Sequence, residues 1–198
     1  MHLMQSDSPK DVDDSFLAGK LLVATPSIGD PRFDRSVILM CDHSAEHAMG
    51  IVLNKPIDGL NLPELLEQLE IDGAQDAADL PVLLGGPVDR DRGFVVHTPD
   101  FNTAESTLPI GPGLCLTATK DVLEAIASPR PPRHSLVALG YAGWGGGQLE
   151  DELAANAWLV TDPEPGLIFD TLNSAKWERA LDQLGVTPEH LSVLAGHA

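Results

Sequence analysis

Gly140-Tyr-Ala-Gly-Trp-Gly-Gly-Gly-Gln-Leu-Glu-Asp-Glu-Leu153 packs five glycines and two aromatics into fourteen residues. The apolar run Ser135-Leu-Val-Ala-Leu139 before it reads as a buried strand, and Leu149, Leu153 and Ala157 after it recur at helical spacing. The unit is therefore strand, glycine turn, helix. Clustered glycines mark backbone with positive φ or with a close neighbour, the property of a specialised loop or a tight packing contact. A phosphate cradle at the helix start is one such use. The spacing opposes it, because Gln148 stands where a third glycine of G-x-G-x-x-G belongs and no lysine follows. Glu150, Asp151 and Glu152 in the first turn would also repel phosphate. Trp144 can either fold back onto the core or serve as an anchor presented by a rigid scaffold. Its glycine neighbours leave it little local packing, which favours the anchor. Gly143, Trp144, Gly145, Gly147 and Gln148 are accordingly candidate binding residues.

Outward from this unit, apolar and β-branched segments predict strands at 20–25, 36–42, 49–54, 82–85, 93–98, 114–117, 135–142, 157–160 and 167–170. A hairpin is expected across Ser44 to Ala48. Helices are fewer. Leu62, Leu65, Leu66 and Leu69 form a stripe begun by Pro63, and Val122, Leu123 and Ile126 form another behind Thr119 as cap. A third runs from Ser174 to Gly185 with Trp177, Leu181 and Leu184 on one face, and Pro188 opens a further turn. Strands without long crossover helices between them favour antiparallel or mixed pairing, so the fold class is α+β. Trp158 and Trp177 continue these patterns and read as core.

At 198 residues the chain suits one domain with a sizeable core. Residues 1–15 are polar and acidic and are expected to be mobile, with the ordered domain spanning 16–198. Twelve basic against thirty acidic residues give a net charge of −18, which opposes nucleic acid and anionic membrane. The arginine pairs Arg32/Arg35, Arg90/Arg92 and Arg130/Arg133 are too scattered to track phosphates. Two cysteines form no disulfide framework, and no signal peptide or membrane-length apolar run is visible, so a cytoplasmic location is expected.

The ordered motifs Gly19 to Thr25, Asp30-Pro-Arg-Phe33, Ser36-Val-Ile38, Asn54-Lys-Pro56, Gly85-Gly-Pro87, Arg92-Gly-Phe94 with His97, and Gly140 to Leu149 resemble those of the bacterial AlgH/YqgE family. Asn156-Ala-Trp158 and Gly196-His-Ala198 fit as well, so the resemblance spans residue 17 to the end. It implies a single domain with a partly closed, barrel-like, bifurcated β-sheet core flanked by helices. The family's biochemical activity is not established. Its label as a transcriptional regulator derives from a link to alginate production, not from a DNA-binding motif.

Cys41 and His43 are among the family's motif positions and lie two apart on a predicted strand, hence on one face. An imidazole could activate the thiol, although cysteine is also among the most buried residue types. His97, at a strand end before Thr98-Pro99-Asp100, could do acid–base work or fasten a loop. Cys41, with His43 or His97, is therefore the enzymatic alternative. His43 and His47 have the i, i+4 spacing of helical metal sites, but in a hairpin loop that spacing loses its meaning, and a turn role with left-handed backbone suffices for His47. Asn54 and Lys55 could present an amide and an ammonium to a ligand, or simply end a strand before Pro56. The sequence thus favours a binding or regulatory protein whose partner is a protein or small molecule. No cofactor, metal, membrane or direct nucleic-acid contact is expected.

Overall fold

A computed structural model describes residues 16–195, so the acidic segment 1–15 and the Gly196-His-Ala198 motif lie outside the described residues. Strands β1 (Leu21–Ala24), β2 (Val37–His43) and β3 (His47–Val52) form an antiparallel meander whose second turn is the expected hairpin. In chain order follow β4 (Pro56–Asn61), β5 (Pro81–Leu84), β6 (Val88–His97), β7 (Thr107–Gly111), β8 (Leu114–Thr117), β9 (Ser135–Gly145) and β10 (Trp158–Thr161). The sheet runs β10-β1-β2-β3-β9-β6-β8-β7, with β5 and β4 branching from β9. Only the β5–β9 pairing is parallel, which makes the curled half-barrel a mixed sheet in an α+β domain.

The fork lies in β9. Its last residues pair with His47–Gly50 of β3, whereas Ala138 and Leu139 pair with β5. Gly85 joins the branches, its N–H donating to the Leu139 carbonyl and its own carbonyl accepting from Val52 N–H, both at 2.8 Å. Gly140 sits at the crossing with φ +77°, where a Cβ would lie 2.5 Å from the Gly86 carbonyl oxygen and 3.0 Å from that of Val88. Only glycine fits both the conformation and the space. On the other side of β9, Val88 pairs with Tyr141 and Gly93 with Leu139, so residues 89–92 bulge off the ladder.

The glycine-rich segment is therefore mostly strand. Gly140, Gly143 and Gly145 belong to β9, and the turn itself is only Gly146-Gly147, with Gly147 at φ +79° before helix α3 (Gln148–Ala154).

Both faces of the meander are covered, which explains why Leu21–Ala24 reads as a continuous apolar run. Leu21 and Val23 face a core shared with Leu167, Ile168, Trp177, Ala180 and Leu181. Leu22 and Ala24 face a second core with Trp144, Leu149 and Trp158. Helices α1 (Leu62–Gln68) and α2 (Lys120–Ile126) close a third against Val82, Val95 and Val137. Asn61 caps α1 in a reciprocal box with Glu64, while Thr119 occupies the cap position of α2 without a side-chain cap bond.

Helix α5 (Lys176–Gln183) ends before Gly185 at φ +66°, and α6 (Pro188–Ala195) starts on its proline, as the sequence predicts. Residues 167–170, expected as a strand, instead lie mainly in helix α4 (Pro165–Phe169). Pro165 at the first helical position and the packing of Leu167 and Ile168 on α5 outweigh their β propensity. Strands β4 and β7 escape the sequence reading because they carry proline and glycine and expose much of their length.

Candidate functional site

The enzymatic candidates are occupied by the fold. Cys41 is buried among Leu39, Ile51 and Leu53, and desolvation, with Asp42 adjacent, pushes its thiol up to about 12. A thiol so held is not a nucleophile near neutral pH. His43 Nδ1 accepts the Leu17 N–H at 2.9 Å, which leaves Nε2 to donate to Glu150 Oε1 at 2.7 Å. Glu150's own backbone N–H and the His43 ring hold its carboxyl below the usual range. His97 is wholly buried; Nδ1 donates to the Thr98 carbonyl and Nε2 accepts from Thr117 Oγ1, both at 2.8 Å. Neither imidazole has a free lone pair for a neighbouring thiol. His47 adopts strand backbone at the start of β3, not a left-handed turn, and its ring pairs with Asp42 at 2.7 Å. His43 and His47 thus serve different carboxylates.

Asn54 and Lys55 are equally committed. Asn54 Oδ1 accepts Val37 N–H at 3.0 Å and its Nδ2 donates to the Arg35 carbonyl at 2.8 Å, while Lys55 Nζ donates to the Asp34 carbonyl. Together they pin residues 34–37 rather than facing a ligand.

Trp144 corrects the expectation of an exposed anchor. Its ring is 6% exposed, meets Trp158 edge to face at 6.0 Å, and donates to Glu152 Oε2 at 2.8 Å. Gln148 closes the turn by accepting Gly145 N–H at 3.1 Å and donating to Glu152. What β9 does present is its opposite face. There Tyr141 and the exposed Gly143 line a concavity of about 380 Å³ with Met49, Val88, Arg92 and Phe94, and the paired Asp42 and His47 line it as well. Arg92 lies 5.2 Å over the Phe94 ring, which meets Tyr141 edge to face at 5.9 Å. No carboxylate lies within salt-bridge distance of Arg92 among the described residues.

A second concavity, of about 270 Å³, opens between β5, the start of β9 and the segment from α4 to α5. Leu62, Leu83, Leu136 and Phe169 contribute apolar walls, and Lys176 lines it while being only 1% exposed. Lys176 Nζ donates to the Leu53 carbonyl at 2.8 Å and to Asn173 Oδ1 at 2.9 Å. Desolvation lowers its pKa to about 8.

The sequence profile of the AlgH-like family matches residues 21–189. The chain belongs to that family. It is 53% identical over 189 residues to a UPF0301 protein of Caulobacter vibrioides, covering 95% of this chain and 97% of the relative. A UPF0301 protein of Methylobacterium nodulans is 54% identical, with 93% and 91% covered. The solution structure of the AlgH protein from Pseudomonas aeruginosa superposes with a TM-score of 0.73 at 40% identity, covering 98% of both chains. A crystal structure from Corynebacterium diphtheriae has the same fold at 19% identity, with a TM-score of 0.68 and coverages of 96% and 93%.

In this AlgH-like chain, sequence reasoning ended the strand at Ala142 and placed Gly143 and Trp144 in a glycine turn, whereas both belong to β9, with Gly143 exposed and Trp144 buried. It missed Tyr141, Arg92 and Lys176. Lys176 had a faint signal: it occupies a core-facing position beside Trp177, where a charged residue calls for an explanation.

Proposed function

We propose that this AlgH-like chain is a cytoplasmic binding or regulatory protein, not a catalyst, and that it recognises a protein or small-molecule partner through the open face of β9. The observation that carries this reading is the Arg92–Phe94–Tyr141 stack beside the bare backbone of Gly143, a cation without a carboxylate partner on a chain of net charge −18. Guanidinium on an aromatic plane, with an open donor fork, suits a partner that offers an acidic and planar group. Among the described residues His43 and His97 have both ring nitrogens engaged elsewhere, which supports the non-catalytic reading. Direct transcriptional control through duplex DNA is not part of the proposal, since the overall charge opposes phosphate.

Native mass spectrometry of freshly purified wild type, Arg92→Ala and Tyr141→Phe tests this reading. The associated molecule or protein is expected on the wild type and lost from Arg92→Ala while the thermal midpoint stays within a few degrees. Retention of the partner by both variants overturns it. So does submicromolar discrimination of a promoter from random duplex at physiological salt.

A further inference from the structure

Lys176 is an unusual residue to find in a core. It is 1% exposed, sits on α5 between the sheet and the α4–α5 connection, and lies more than 4 Å from every carboxylate among the described residues. Buried lysines are ordinarily paired. Its two hydrogen bonds, to the Leu53 carbonyl and Asn173 Oδ1, use two of the three ammonium donors. Among the described residues the charge and the third donor have no partner, and Lys176 lines a cavity whose walls are mostly apolar.

The lining specifies the missing partner. Among the described residues, Asp170 is the only other ionisable one lining the cavity, and it lies exposed. Asp170 is too far to pair with the amine, and desolvation alone accounts for the lowered affinity of Lys176 for its proton. Leu80 and Leu172, which also line the opening, are 43% and 78% exposed, an apolar entrance on a strongly charged surface. Ser135, Thr171 and Asn173 add small polar groups. A dry cavity of about 150 Å³ admits benzene, so about 270 Å³ suits a ring or short chain with a head group.

We infer that this cavity is a binding site for a small apolar carboxylate, whose body packs between Leu83, Leu136 and Phe169 and whose anionic head pairs with Lys176. The ligand would supply the counter-charge that the fold withholds, in a low-dielectric setting where a charge-assisted hydrogen bond is strong. Binding to the ammonium form also couples affinity to protonation. Above pH 8 the bound carboxylate must draw a proton onto Lys176, so binding takes up protons and weakens as the pH rises further.

Benzoate and its neutral isostere benzamide are suitable probes for calorimetry and for NMR of the Lys176 ε-methylene. Benzoate is expected to bind saturably, to shift the ε-methylene resonance, and to exceed benzamide at least tenfold at pH 7. Lys176→Met, which keeps the stem, should abolish the preference. Leu172→Glu, a change on the exposed rim that does not burden the core, should weaken benzoate several-fold and leave benzamide unchanged, which keeps the test decisive if Lys176→Met folds poorly. At pH 9 the binding enthalpy should depend on the ionisation enthalpy of the buffer. Equal binding of the two probes overturns the inference, as does the absence of saturable benzoate binding at tens of millimolar. Loss of benzoate binding in Arg92→Ala but not in Lys176→Met would place the anion on the β9 face and also overturn it.

Discussion

The indole N–H of Trp144 donates to Glu152 Oε2 at 2.8 Å, joining the end of β9 to the helix that follows it. The same oxygen accepts the Trp158 N–H at 2.7 Å, so one half-buried carboxylate clasps two buried rings from β9 and β10. Removing the Trp144 ring should cost about 3–5 kcal/mol, as for other large core aromatics. Glu152→Ala leaves both indole donors short of an acceptor, at about 1 kcal/mol or more each, whereas Glu152→Gln keeps an acceptor oxygen and should lose less. Urea unfolding midpoints check the order Trp144→Ala, Glu152→Ala, Glu152→Gln. A Trp144→Ala protein as stable as wild type would mean that the ring does not close this core.

The glycines of the same segment should respond unequally. Gly140→Ala meets both a positive φ and the Gly86 carbonyl, and is expected to destabilise by well over 1 kcal/mol or to prevent folding. Gly147→Ala carries the conformational strain alone, about 1 kcal/mol. At Gly145 a Cβ meets nothing within 4 Å and φ is not positive, so alanine should be close to neutral. Clustered glycines suggest positive φ or a close neighbour, and among these three that holds at Gly140 and Gly147 but not at Gly145. Thermal midpoints of the three single variants decide the ranking.

Cys41 should resist alkylation in the native protein at neutral pH and react quickly once the chain is unfolded. Its folded-state pKa of about 12 exceeds the unfolded value of about 8.5. The native thiol therefore holds its proton more tightly than the unfolded one. Its stabilising contribution is complete below about pH 8.5 and declines as the pH rises toward 12. Rapid native labelling by iodoacetamide at pH 7 would restore the enzymatic alternative.

Lys176 has the opposite sign. Its pKa falls to about 8 in the folded state from about 10.4 in the unfolded chain. Between these values the unfolded state binds more protons, so stability increases with pH, by up to about 1.4 kcal/mol per unit. The Cys41 effect offsets part of this increase above about pH 8.5. In a Cys41→Ala background, denaturant-derived stability should climb from pH 8 to 10, and adding Lys176→Met should flatten the curve. A slope that persists without Lys176 would assign the titration to another group.

Local signals and tertiary decisions divide cleanly along this chain. Continuous apolar runs such as Leu21–Ala24, the hairpin across Ser44 to Ala48, the proline and glycine punctuation of α1, α5 and α6, and the ordered family motifs were legible because each depends on neighbours in sequence. Those features determined the α+β class and the family. The helix at Pro165–Phe169 and the polar strands β4 and β7 were decided by distant packing and pairing that local propensity does not encode. The site chemistry depended still more on long-range contacts. Cys41, His43 and His97 offer nucleophile and base chemistry as residue types, and burial together with hydrogen bonds from other elements removes it. Trp144 was read as exposed because its sequence neighbours are glycines, whereas its cover comes from Trp158 and α3, brought across by the fold. Lys176 became a candidate only when Leu53, 123 positions away, supplied the carbonyl that holds its amine beside an apolar cavity. Which polar groups are satisfied and which still lack a partner is a property of three-dimensional proximity, not of sequence neighbours.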